Sequence, residues 1–134
     1  MIYGSRFATF ARVRAGEARS TVALRVLSVL QQLGPTRIGD LAHRERLTQP
    51  AISATVNKLE ADGLVTREPD PTDARASLVR ITPAGDTEIE GFRERAAAAV
   101  VPALEQLSPE EWDTLSRATD ILERITTGDS PLSA

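Results

Sequence analysis

The 134-residue chain contains no cysteine and a single histidine, His43. The first absence excludes disulfides, thiolate metal sites and thiol redox sensing. The second excludes a multi-histidine metal site within one chain. Lysine is nearly missing, with Lys58 alone against fifteen arginines. No apolar run approaches the length of a membrane span, and the first residues lack the basic, apolar and small-residue order of a signal peptide. The expected setting is the cytoplasm. A glycine-rich phosphate loop, a Ser/His or Cys/His set and a metal-ligand cluster are also missing, so neither catalysis nor a cofactor or bound metal is expected. There is no internal repeat and no low-complexity linker.

What remains is an ordinary globular composition, 41% apolar and 26% charged, in a chain long enough for one core and an oligomerisation element. The net charge of −3 hides an asymmetry. Residues 1–80 carry twelve Lys/Arg against eight Asp/Glu, a net of +4, whereas residues 81–134 carry four against eleven, a net of −7. The front half is the one suited to meeting an anion.

Apolar spacing predicts a short amphipathic helix over Tyr3–Val13, then a mostly apolar helix from Val22 to Leu33. Gly34-Pro35 should stop the second, with glycine as a left-handed cap. Thr36 is expected to cap a short helix reaching His43. Thr48 caps the next, with Pro50 tolerated in its first turn and Gly63 ending it. Ile52, Val56 and Leu59 form its buried stripe. "LVTRE" and "SLVRIT" read as antiparallel strands on either side of "PDPTDAR", which is breaker-rich enough to be an exposed connection. Thr82-Pro83 opens a long helix that Pro102 should kink or end near Val100. "SPEE" is a capping box, Ser108 to Glu111, for the last helix. The acidic residues of 86–94 read as a solvated face. The tail from Gly128 is expected to be mobile.

Two short helices joined by a tight turn, the second with a small polar face, describe a helix-turn-helix, and the following hairpin makes it winged. Ala51, Ser53 and Ala54 let the helix backbone sit close to base edges in a major groove. Gln49 suits an adenine edge, while Thr36, Arg37, Asn57 and Lys58 suit phosphates.

The stretch "GDLAHRERLTQPAISATVNKLEADGLVTREPDPTDARASLVRITPAG" resembles the winged helix-turn-helix of the MarR family of bacterial transcriptional regulators, most specifically in "LEADGLV" and in the wing with Asp73 and Arg75. That resemblance implies a mainly α fold with a small β-hairpin wing. Residues 1–20 and 86–127 would form a helical dimerisation region around a DNA-binding domain at 21–85, with the tail at 128–134. It implies a recognition helix over 48–62 carrying Gln49, Pro50, Ala51, Ser53, Ala54, Asn57 and Lys58, with Arg75 entering a minor groove, where negative potential draws arginine, and Asp73 bracing it. Phe7, Phe10, Trp112, Leu115 and Leu122 would line the dimer interface. Tyr3 and Phe92 are read with the same apolar set. The implied partners are double-stranded DNA, a second copy of the chain and a small aromatic or phenolic effector. The implied role is a repressor on a pseudo-palindromic operator. The alternative is a winged-helix interaction module that binds no specific DNA.

Overall fold

A computed structural model describes residues 2–127 of the chain. Helices α1 (Ile2–Arg14) and α2 (Thr21–Leu33) lead into a two-residue strand β1 (Thr36–Arg37), followed by α3 (Ile38–Glu45) and α4 (Gln49–Ala61). Strands β2 (Val65–Asp70) and β3 (Asp73–Ile81) form a hairpin, and α5 (Pro83–Leu104) and α6 (Pro109–Thr127) complete the order. The expected helix succession and hairpin are present. The expected tail at 128–134 and the side chain of Tyr3 lie outside the described residues.

The core is built where the periodic apolar residues converge. Leu24, Val26, Leu27 and Leu30 of α2 meet Leu41 and Ala42 of α3, Ile52, Val56 and Leu59 of α4, and Val65 and Val79 of the sheet. Ile89 brings α5 onto this cluster, and Phe92 packs against it from the same helix.

Local chemistry explains most boundaries. Ser20, Thr48 and Thr82 cap α2, α4 and α5 through their side-chain oxygens, and Ser108 and Glu111 exchange the two hydrogen bonds of a capping box, at 2.8 and 3.2 Å. Gly34 closes α2 at positive φ (78°), but its ψ of −159° lies outside the left-handed helical region and is open essentially to glycine alone.

Four expectations need correction. Thr36 does not cap α3. It pairs with Val79 across a third strand, its hydroxyl donates to the Gly34 carbonyl, and Arg37 takes the cap position without a side-chain cap bond. The "PDPTDAR" segment is not an open connection, because the strands run through it and leave only Pro71-Thr72 as the turn. Pro69 is tolerated inside β2 because the order β1-β3-β2 makes β2 an edge strand, where a missing N–H need not leave a gap in the ladder. Pro102 neither ends the long helix near Val100 nor stops it before Leu104. So close to the helix end, the missing donor removes one bond of the last turns only. Finally, the acidic face of α5 is not merely solvated. Asp86 and Glu90 accept from Gln31 at 3.2 and 3.0 Å, and Glu88 accepts from Arg19 at 2.7 Å.

Candidate nucleic-acid interface

The helix-turn-helix is α3, a three-residue turn and α4. Arg46 closes α3 in the left-handed region (φ 54°), and the Leu47 amide donates back to the Ala42 carbonyl at 3.0 Å. This sharp reversal lets Thr48 start α4 at once, its hydroxyl accepting from the Ala51 amide at 3.4 Å. Ile52, Val56 and Leu59 then hold one side of α4 in the core, which forces the other side outward. Gln49, Pro50, Ala51, Ala54, Asn57 and Lys58 are exposed there, and Ser53 is half-buried at the edge. The structure thus gathers the expected recognition residues on one open helix face. Two lie close to other parts of the chain. Gln49 lies against Gly39, where an added Cβ would meet Nε2 at 3.3 Å. Asn57 accepts from the Arg67 guanidinium through Oδ1 at 2.5 Å.

The wing stands beside this helix. Arg67 reaches from β2 to α4, donating also to Glu60 at 2.7 Å, so the hairpin is fixed to the recognition helix by a forked contact. Arg75 lies in β3, beyond the Pro71-Thr72 turn rather than at the tip. Asp73 braces it through the backbone, its Oδ1 accepting the Arg75 amide at 3.0 Å. The Arg75 side chain makes no ion pair among the described residues and is exposed.

Arg37, expected to suit a phosphate, is held within the chain. Its Nε donates to Asp70 Oδ2 at 2.5 Å and its Nη2 to the Thr72 hydroxyl at 3.0 Å. Asp70 is buried at the end of β2, its side chain 4% exposed, and accepts from the amide and hydroxyl of Thr72 at 2.8 and 2.7 Å. The bonds from Thr72, with the Arg37 guanidinium beside them, hold the Asp70 carboxyl down at about 2. A carboxylate with a lowered pKa stabilises the fold above its ordinary 3.8 and loses that contribution as pH falls toward about 2. Wild-type protein should therefore lose stability more steeply than Asp70→Asn between those limits, as read by urea midpoints. Equal slopes would show the carboxylate to be unperturbed.

Pattern reading of the front half missed Arg44 and Arg46. Of the eight cations between residues 21 and 81, Arg25, Arg37, Arg67 and Arg80 are held by carboxylates. Arg44, Arg46, Lys58 and Arg75 are exposed and have no ion-pair partner among the described residues. The "RERL" turn carried that signal, since cations at a helix-turn-helix junction lie next to the recognition helix start.

Two cavities adjoin these elements. One of about 450 Å³ lies between α1, α2 and α5, lined by Arg12, Leu24, Arg25, Phe92 and Arg93 among others. Phe7 and Phe10 do not line it. Another of about 460 Å³ lies between the α1–α2 connection and α4, next to Ala54, Thr55 and Lys58.

The same succession of helices and hairpin is found in known proteins. Residues 20–77 match the family model described as MarR family. An HTH-type transcriptional regulator of Mycobacterium leprae is 32% identical over 114 residues, 83% of this chain and 80% of that protein. The crystal structure of the transcriptional regulator BldR from Sulfolobus solfataricus is 33% identical, with a TM-score of 0.63 over 92% of this chain and 88% of its own. A MepR mutant of S. aureus bound to an oligodeoxyribonucleotide shares the fold at 21% identity, with a TM-score of 0.67 over 92% and 93% of the two chains. The chain belongs to the MarR family of DNA-binding, HTH-type transcriptional regulators, which are not enzymes.

Proposed function

We propose that the chain is a homodimeric repressor, acting in the cytoplasm, that holds a pseudo-palindromic operator with two α4 helices and two wings. The observation that carries this reading is the set Arg44, Arg46, Lys58 and Arg75, exposed on the helix-turn-helix and wing and without ion-pair partners among the described residues. Uncompensated cations are what a polyanion neutralises, and the paired ones in the same segment are all structural. Gln49, Ser53 and Ala54 face base edges in the major groove, Lys58 and Asn57 adjoin the backbone, and Arg75 enters the flanking minor groove. The fold it shares with a neighbour bound to an oligodeoxyribonucleotide supports the docking mode. The second copy is supported by apolar residues left uncovered on α1 and α6, Phe7, Phe10, Trp112, Leu115 and Leu122 among them. A two-fold dimer favours half-sites about one helical turn apart. A small aromatic or phenolic effector has room in the cavity between α1, α2 and α5.

The test is titration of the protein onto its own upstream DNA at two salt concentrations. Binding should exceed that to random DNA and weaken with salt, by about 0.9 in log–log slope per neutralised phosphate. Arg75→Ala should weaken the complex by roughly 1–3 kcal/mol with the fold intact. Equal affinity for random and upstream DNA would sink the regulator reading and leave a winged-helix interaction module in its place.

A further inference from the structure

We infer that Arg37, Asp70 and Thr72 form a lock that sets the pose of the wing, so that Arg37 is a positioning residue for DNA binding rather than a phosphate contact. The inference rests on the reading of the wing as a groove-binding element. Its geometry is independent of that reading. The far end of a two-stranded ribbon has little to hold it, because isolated hairpins are marginal in water. Here the last residue of β2 turns inward instead. Asp70 is 6% exposed, and its two carboxylate oxygens accept four short contacts from Thr72 and Arg37. The Thr72 hydroxyl closes a ring, donating to Asp70 and accepting from Arg37 Nη2.

The placement of Arg37 explains what the lock joins. Its backbone pairs with Leu78 in β3 and caps the start of α3, so its guanidinium carries the position of the helix-turn-helix to the wing turn. Arg67 does the same lower down, on Glu60 and Asn57 of α4. With both anchors in place, the distance from the α4 face to Arg75 is fixed before DNA arrives. A preorganised wing avoids the ordering cost that a loose one would incur on binding. Arg75 follows the turn in β3, with Asp73 between them, so loosening Asp70 or Thr72 is felt directly at the groove-binding side chain.

The two roles for Arg37 predict opposite signs for Asp70→Asn. A phosphate contact would be strengthened, since a negative charge is removed and the guanidinium is freed. The lock predicts operator binding about tenfold weaker, comparable to losing one good groove contact. Thr72→Val leaves every charge in place, so the phosphate role predicts no change, whereas the lock predicts a loss of severalfold. In an Arg75→Ala background the lock predicts that Asp70→Asn adds under about twofold, because the two changes act through one contact. Amide exchange across residues 72–77 in the free protein, faster in both Asp70→Asn and Thr72→Val, reports the lock without DNA and shows that the rest of the fold persists. Tighter binding by Asp70→Asn, or unchanged exchange of those amides, overturns the inference. Wild-type protein indifferent to its upstream DNA overturns the regulator reading, while faster wing exchange in the variants still upholds the lock.

Discussion

Gly85→Ala is expected to destabilise the protein by about 3 kcal/mol, near the upper end for overpacking a site that has no room. The space is closed by backbone as well as by a side chain that could turn away. A Cβ at position 85 would stand 2.2 Å from the Leu64 carbonyl oxygen, 3.1 Å from its carbon and 2.7 Å from Ile81 Cγ1. That carbonyl is also tied, accepting the Thr82 amide at 3.0 Å. Thr82 itself donates through its hydroxyl to the Gly63 carbonyl at 2.7 Å and accepts from the Gly85 amide at 3.1 Å. The first turn of α5 is thus pressed onto the junction where α4 gives way to β2. Relief requires α5 to move off that joint, which would also disturb the seat of Ile89 in the core. Urea denaturation reads the cost as a lower midpoint, and a loss below about 1 kcal/mol would show that the joint yields easily. Because α5 carries the winged domain toward the α6 end of the chain, a partly folded Gly85→Ala protein should also bind DNA less well than its folded fraction predicts.

Local chemistry was legible in the sequence and long-range pairing was not. The caps at Thr48, Thr82 and Ser108 could be read because a hydroxyl and the amide it accepts from lie three residues apart. The stripe Ile52, Val56 and Leu59 could be read because one period places all three on the core side. Strand β1 has two residues, too few for any periodicity, and exists only because β3 offers it a partner. Pro69 looked like a loop residue because the sequence does not show that its strand lies at an edge. The open face of α4 could be read because its small and polar residues lie opposite the apolar stripe, whereas Arg75 was singled out only through the family resemblance. The contacts of Arg37 and of the α5 carboxylates were missed for one reason. Arg37 lies 33 residues from Asp70, and Gln31 lies 55 from Asp86, so nothing local marks either pair. A charged residue seen alone looks solvated until its partner is known.

Leu122→Asp is expected to convert the proposed dimer into a monomer without unfolding the winged domain. Residues 109–126 are exposed without exception along the described part of α6, including Trp112, Leu115, Ile121, Leu122 and Ile125. A helix with that apolar face has little reason to persist in water, since helices draw most of their stability from packing. Phe7, Phe10 and Val13 of α1 are uncovered in the same way, with Phe7 and Phe10 6.4 Å apart and Arg14 over the Phe10 ring at 5.2 Å. Burying each such side chain is worth about 1.5–3 kcal/mol, so the uncovered set can drive association strongly. An aspartate at 122 would be buried beside this apolar surface at a cost on the order of 3 kcal/mol per copy. In a two-fold dimer it would stand there twice, so association would weaken by roughly 6 kcal/mol, or about four orders of magnitude in Kd. The core residues lie outside α6, in α2 to α5, which is why the winged domain should survive the change. Sedimentation velocity reads the mass directly, and Trp112, the single tryptophan, reads the same event by a red shift of its emission as α6 loses its cover. A Leu122→Asp protein that still sediments as a dimer would place the second copy on another surface. Loss of the dimer should in turn reduce binding to a two-half-site operator far more than to an isolated half-site, because only the former needs both recognition helices on one molecule.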